Sequence, residues 1–531
     1  MTTSPGGVFT HRQVLAIFSG LMLGLLLAAL DQTIVSTALP TITGDLGGLT
    51  HLSWVVTSYL LASTVSTPLY GKLGDLYGRK SLFQVAIVVF LIGSALCGLS
   101  QSMLQLVAFR ALQGLGGGGI IVLAQAIIAE IVSPRDRGRY QGYFGAVFGA
   151  GSVAGPLLGG FLTDQVSWRW VFYVNLPIGM IALLVTASKL PSSRRHYNQK
   201  IDYLGSALLT GAVTCIVLFT TWGGMEYEWG SRMILALGVG SVVLLGLLWV
   251  VERRADEPVL PIHLFRTHTF NVTSSVGFII GVTMFSAVSF VPLFLQVVNG
   301  ASATGSGLLL VPLMLGLLSA SMISGQIISR TGCYKVFPVS GCAIAAIAFY
   351  LLSTMDAHTM QSTVTIYMVI LGAGLGLTSQ TLILAAQNAV RSSELGVATS
   401  SVSFFRSMGG SIGVAVFGAL FNSLLSDRLG TTVGMGETAG VTPGLVQQLP
   451  EPERTRFIAN FADSLATAFL YFTPVVLLGL ALSLLMREVP LRSTTHGVAE
   501  ANQFGRGTAL ATAEAEKRVS WSSNGPGPLP R

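Results

Sequence analysis

Apolar residues along this chain gather into fourteen long runs separated by short polar stretches. They cover approximately residues 14–36, 52–72, 81–100, 103–131, 138–163, 169–189, 203–222, 232–251, 270–296, 304–329, 335–353, 362–387, 396–425 and 463–487. Val14 to Leu30 carries no charge, and neither does Ser81 to Phe109. A helix needs about 20 such residues to cross a bilayer. Inside lipid only helices and closed barrels satisfy their backbone groups, and these runs are too long and too evenly apolar for barrel strands. The pattern therefore predicts an all-α polytopic membrane protein with fourteen spans.

The polar stretches set an expected orientation. With a cytoplasmic N-terminus, the inner loops hold sixteen Lys and Arg and the outer loops five. Positive charge stays on the cytoplasmic side, so both termini are expected there, in the cell inner membrane. Composition agrees with lipid as the main solvent. Of 531 residues 51% are hydrophobic and 10% charged, against about 25% charged in soluble domains, and the mean hydropathy is +0.68. The formal charge of +7 faces anionic headgroups in this arrangement and implies no nucleic-acid partner. No signal peptide is expected, because the first ten residues are polar and no cleavage pattern follows the first apolar run.

Covalent chemistry finds little support. Cys97, Cys215, Cys333 and Cys342 lie in or beside apolar runs without a CxxC pair, so they read as small core-filling side chains. No metal-ligand set, Ser-His pair or Cys-His pair stands out, and an enzyme is not expected. The chain lacks a GxxxxGK[ST] phosphate loop. No cofactor is implied, and the energy source would be the proton motive force.

The runs divide into a cytoplasmic N-terminus (1–13), a six-helix bundle (14–189), a linker with two extra spans (190–269), a second six-helix bundle (270–487) with an outer loop (427–462), and a disordered cytoplasmic tail (488–531). Weak self-similarity supports two related bundles. Gly114, Gly138 and Gly151 recur as Gly372, Gly396 and Gly409 at an offset of 258, and Gly71 and Gly78 recur as Gly325 and Gly332 at an offset of 254. Repeats of this kind build transporters whose halves rock about a midplane site.

The loop after the second run reads Gly71-Lys72-Leu73-Gly74-Asp75-Leu76-Tyr77-Gly78-Arg79-Lys80. Its glycines permit a tight turn, and Asp75 and Arg79 can engage helix ends or neighbouring charges, which suggests a charge latch on the cytoplasmic face. The second-half copy, Gly325 to Lys335, has Ser329 where Asp75 stands, so a weaker latch is expected there. The first of these loops resembles the signature of the major facilitator superfamily. Arg110-Ala111-Leu112-Gln113-Gly114 is similar to its intramembrane arginine motif. Gly145, Gly149, Gly151, Gly155-Pro156 and Gly159-Gly160 resemble its antiporter motif. Leu30-Asp31-Gln32-Thr33-Ile34-Val35 through Leu39-Pro40 resembles the first-helix signature of the fourteen-helix drug:proton antiporters. So do Trp54-Val55-Val56-Thr57-Ser58-Tyr59, Trp168-Arg169-Trp170-Val171-Phe172 and Asn175-Leu176-Pro177. The resemblance implies the major facilitator fold, with two pseudo-symmetric bundles and two inserted helices. It also implies alternating access, an essential acid at Asp31, and a relay or structural role for Arg110.

Ionisable groups at depth are costly, about 2.5–3.5 kcal/mol each on insertion scales, and mark function. Asp31, Arg110 and Arg406 are the deep ones, with Glu130 nearer the inner end. Burial disfavours an ionised carboxyl and a nearby arginine favours it, so Asp31 is expected to carry the coupling proton and to attract cationic substrates. Arg406 interrupts a glycine- and serine-rich run and is expected to be its counter-ion in one state. Glu130 is expected to partner Arg79 in the latch, with a proton-coupling site as the alternative. Gln32, Tyr59, Phe144, Phe148, Phe285 and Phe405 are candidate cavity residues, suited to hydrophobic or cationic compounds. Three functions compete: multidrug:proton antiport; export of an endogenous lipid, lipopeptide or siderophore; and a transport-inactive sensor or envelope accessory contacting partners through the 427–462 loop. The working partners are a small-molecule substrate, protons and the bilayer, with the chain as a monomer.

Overall fold

The computed structural model describes residues 11–46, 52–190, 202–223, 227–255, 258–300, 310–429, 446 and 450–491. The expected tail from residue 492 on and most of the 427–462 loop lie outside them. Apart from one isolated bridge between Gly223 and Tyr227, regular structure among the described residues is helical. In chain order the helices are α1 (His11–Leu46), α2 (Leu52–Tyr77), α3 (Arg79–Leu99), α4 (Met103–Ile131), α5 (Pro134–Gln165), α6 (Trp170–Lys189, interrupted at Val174), α7 (Tyr203–Trp222) and α8 (Arg232–Glu252). They continue as α9 (His268–Val297), α10 (Val311–Thr331), α11 (Val336–Leu352), α12 (Gln361–Asn388), α13 (Leu395–Leu429) and α14 (Glu453–Leu484). Twelve are long and apolar enough to cross a membrane. The remaining two are the more polar α2 and α11, which has 17 residues.

Local chemistry sets the ends. Ser102, Ser133, Asp202 and Ser231 cap α4, α5, α7 and α8 by accepting the N–H of Gln105, Asp136, Gly205 and Ile234. Pro134 opens α5, where its missing N–H costs nothing. Gly78 joins α2 to α3 at φ 96°, and its repeat mate Gly332 ends α10 at φ 78°, a region where a side chain would be strained. Two boundaries differ most from expectation: α1 runs to Leu46, well past the apolar run that ends at 36, and the 427–462 loop is partly helical. Much of the described part of the 427–462 loop is helical, because α13 runs to Leu429 and α14 begins at Glu453. The added turns of α14 mix Glu453, Arg454 and Arg456 with Phe457, Ile458 and Phe461, so no continuous apolar run marks them.

Helices α1 to α6 bury one set of apolar residues, including Leu25, Phe83, Phe90, Ile120 and Phe172. Helices α9 to α14 bury another, including Ile280, Phe294, Phe349, Phe417 and Phe469. Between them, α7 lays Leu209, Val213 and Val217 against Val65 of α2 and Phe404 and Met408 of α13. It therefore covers the seam where the two sets meet. Beyond it, α8 leaves Leu235, Val239, Val242 and Trp249 exposed, as a lipid-facing helix does.

At the far end of α1, Asp45 Oδ2 accepts Trp168 Nε1 at 2.9 Å and Arg169 Nη1 at 3.1 Å. The Trp168 and Arg169 bonds hold this carboxyl below the usual carboxylate range. Its contribution to stability is therefore present above the unfolded value of about 3.9 and is lost as pH falls through the folded value. The Asp45→Asn variant should lack that acid-side loss in thermal unfolding scans between about pH 6 and about pH 3. Superimposable profiles for both proteins would show that the carboxyl does not fasten α1 to the α5–α6 corner.

Candidate site: a buried ion pair and a loop-side latch

Helices α1, α3, α4 and α6 bring together five polar side chains inside an apolar core. Arg110 Nη1 donates to Asp31 Oδ2 at 2.7 Å, and the two side chains are 2% and 0% exposed. Arg110 also donates to Gln113 Oε1 at 2.8 Å and to the Val55 carbonyl at 3.3 Å. The other carboxylate oxygen accepts Gln113 Nε2 at 2.7 Å and Asn175 Nδ2 at 2.9 Å. Asn175 further donates to Ser94 Oγ, which donates to the Phe172 carbonyl. The guanidinium lies over the Tyr59 ring, 4.2 Å from its centroid, a cation–π contact that strengthens where water is excluded. Both charges are thus matched and hydrogen-bonded, the condition under which an ion pair is tolerated at depth.

Asp31 therefore sits against Arg110. Arg406, expected as its counter-ion, makes no hydrogen bond or ion pair among the described residues. Gln113 and Asn175 were quoted in the motifs above without a role. Their signal was polarity, one turn from Arg110 in the first case and beside the break in α6 in the second.

The glycines of α5 set the position of α1. A Cβ at Gly151 would press on Ala29 and Leu30, one at Gly155 on Thr33 and one at Gly159 on Ile34 and Thr37. Thr33 Oγ1 donates to the Gly151 carbonyl at 3.0 Å. This smooth face therefore seats the stretch of α1 that carries Asp31, and Pro156 lies within it. Gly160 borders open space.

The loop after α2 acts on helix ends. Asp75 accepts the N–H of Gly396 and of Val397, both at 3.0 Å, at the start of α13. A carboxylate there meets the positive end of the helix dipole. Arg79 binds Asp75 at 2.7 Å and Glu130 at 2.8 Å. Lys80 donates to the carbonyls of Ala187 and Leu190 where α6 ends. Across the seam, Arg135 donates to the carbonyls of Ser329 and Arg330 at the end of α10, at 3.1 and 2.9 Å. Arg137 binds the Ala129 and Val132 carbonyls at the end of α4. In the second-half loop Ser329 Oγ turns back to its own Gln326 carbonyl, so its backbone, held by Arg135, carries the link.

Two glycine crossings complete this closure. A Cβ at Gly71 would lie 2.7 Å from the Gly396 carbonyl, and one at Gly138 would lie 2.7 Å from the Gly325 carbonyl. These four residues are repeat mates, so α2 over α13 and α10 over α5 are pseudo-symmetric contacts. Gly74 packs on Leu123 in the same region. Ser400, which faces Gly71, is fully buried. A Ser400→Cys reporter, with the four native cysteines replaced by Ala, reads opening of this face. Glu130→Gln removes one of the two carboxylates on Arg79. Because Glu130 is part-exposed, the loss should be about 1 kcal/mol, or about fivefold faster maleimide labelling. An unchanged rate would separate Glu130 from the closure.

The cavity candidates do not share one surface. Tyr59 and Phe144 are core residues. The first lies under Arg110, and the second meets the Phe18 ring within a buried cluster. Phe148 and Phe285 are half-buried, the latter beside Gly410, and Phe405 stacks edge-on with Phe404 and Phe265. Gln32 is exposed. No group of His, Cys, Asp and Glu suited to a metal ion occurs among the described residues.

Comparisons with known proteins fit this geometry. Residues 21–414 match the model described as Major Facilitator Superfamily. An MFS-type transporter of Mycobacterium tuberculosis is 46% identical over 527 residues, covering 98% of this chain and 76% of its own length. Two proteins of Bacillus subtilis are 40% identical: multidrug transporter protein MdtP, with 79% of this chain and 77% of its own length covered, and multidrug resistance protein 3, with 75% and 78%. Among solved structures, the proton:xylose symporter XylE superposes with a TM-score of 0.61 at 14% identity, covering 93% of this chain and 99% of its own. That is a likeness of fold.

Proposed function

Since this chain belongs to the Major Facilitator Superfamily, and so is a multi-pass membrane transporter rather than an enzyme, we propose that it is a proton-coupled exporter of hydrophobic small molecules. The names of its Bacillus relatives support efflux. The observation that carries coupling is the Asp31–Arg110 pair, a matched charge sealed inside the first-half core. Adding a proton to Asp31 removes one charge. Arg110 then keeps Gln113 Oε1, the Val55 carbonyl and the Tyr59 ring, while α1 is released from α4. Because α1 rests on the α5 glycines, a shift at Asp31 passes to the helix whose other end crosses α10 at Gly138 and Gly325. Protonation can thereby bias which side is closed.

The driving force is sufficient. One pH unit supplies about 1.4 kcal/mol per proton, and 100 mV about 2.3 kcal/mol per charge. The basic loops and the latch are assigned to the cytoplasmic face of the cell membrane by the positive-inside rule. The test is transport by purified protein in proteoliposomes under an imposed pH gradient, with hydrophobic fluorescent dyes. Asp31→Asn should bind and exchange dye yet give no response to the gradient. Full pH-driven transport by that variant would remove Asp31 from coupling.

A further inference from the structure

Arg406 is the charge that the coupling pair and the latch leave over. Its guanidinium cannot shed its proton under protein conditions. The carboxylates inside the bundle are already engaged: Asp31 by Arg110, and Asp75 and Glu130 by Arg79. At about 1.5 Å per residue, Arg406 lies about 16 Å along α13 from its Asp75-capped start. That is near the middle of a hydrocarbon layer about 30 Å thick.

Its surroundings fix which way it looks. Helix α13 packs against α2, α4, α7, α9, α12 and α14, and Arg406 is half-buried on it. Its side chain nevertheless keeps solvent-accessible surface between the buried Ser403 and Gly410. On a helix with six helical neighbours, a part-exposed cation fits a wall between the bundles better than the lipid face, where it would be costly. Helical side chains lean toward the N-terminus over the preceding turn, which here presents Ser403. Its Oγ is buried and has no hydrogen-bond partner among the described residues. One turn the other way, Gly410 leaves room for the Phe285 ring. A fixed cation, a free hydroxyl and an aromatic face thus lie along one side of α13. Among the described residues no free carboxylate of the opposite sign lies beside it: Asp31, which would attract a cation, is covered by Arg110.

We propose that Arg406 is the anion-recognising residue of the substrate site, and that the exported compounds carry a carboxylate, sulfonate or phosphate ester on a hydrophobic body. This rests on the export reading above and replaces the cationic substrate class expected from Asp31. The guanidinium offers a planar fork that matches two oxygens of such a group, and Ser403 can donate to a third.

The experiment measures binding to full-length detergent-purified protein without any pH gradient, which keeps it independent of proton coupling. The probes are 8-anilinonaphthalene-1-sulfonate and cationic ethidium. The native protein should prefer the sulfonate. Arg406→Gln should weaken the sulfonate at least tenfold and leave ethidium unchanged or tighter, and Arg406→Lys should restore most of the loss. Asp31→Asn should bind the sulfonate as the native protein does. Equal loss of both probes in Arg406→Gln, unchanged sulfonate affinity, or no sulfonate binding by the native protein would each overturn the proposal. So would displacement of the sulfonate by phosphatidylglycerol with no sulfonate export from vesicles, which would make this a lipid site. Should Asp31→Asn keep pH-driven transport while Arg406→Gln loses the anion, coupling through Asp31 fails and the substrate class stands.

Discussion

Replacing Arg110 by Met is expected to destabilise the purified protein by about 3–5 kcal/mol, the usual result of stripping one partner from a buried ion pair, and to abolish transport. The arginine contributes the one full positive charge within reach of Asp31, together with bonds to Gln113 and the Val55 carbonyl. Without it the carboxylate keeps only the amide donors of Gln113 and Asn175 in a core closed to water. Adding Asp31→Asn should recover most of the lost stability, since a neutral group no longer needs a counter-charge. Transport should stay absent in the double variant. Thermal unfolding of the native, single and double variants forms the cycle that isolates the pair. Additive losses would mean that the two groups do not stabilise each other.

The second large effect is expected at the latch. Asp75 receives two backbone N–H groups at the head of α13 and the Arg79 guanidinium. Bonds to a charged group contribute about 1.5–3 kcal/mol each. Asp75→Asn keeps the shape but removes the charge that meets the helix dipole. The Ser400→Cys reporter should then label at least tenfold faster, well beyond the change expected for Glu130→Gln, because Glu130 touches Arg79 and not α13. Equal rates for the two variants would place the closure in the glycine crossings alone.

How far these features can be read from sequence depends on how local they are. The helices announce themselves through apolar runs of bilayer length, and their ends through Ser, Asp, Pro and Gly. The latch was legible because Asp75 and Arg79 stand one turn apart and the turn at Gly78 fixes both. The partner of Asp31 was not. A sequence gives the depth of a charge along its own helix but not which helix lies alongside, so Arg406 was expected beside Asp31 until α1 was seen against α4 with Arg110 on it. The same limit misplaced Tyr59. An aromatic residue in a polar-looking motif suggested a cavity wall, whereas the ring covers Arg110. The helical turns at Glu453–Phe461 were missed for the opposite reason, since they extend past the apolar layer that made the other helices visible.

The crossing at Gly138–Gly325 touches backbone to backbone, while at Gly71–Gly396 the side chains of Ser400 and Asp75 also close in. Two such points define an axle, and a body held on an axle retains one easy rotation and resists the rest. At Gly138–Gly325 no side chain has to change rotamer for the halves to swing, so the barrier to turning there stays low while the alignment is kept. One methyl group at Gly138 or Gly325 would act as a wedge, tilting the axle and spoiling the motion without touching a charge.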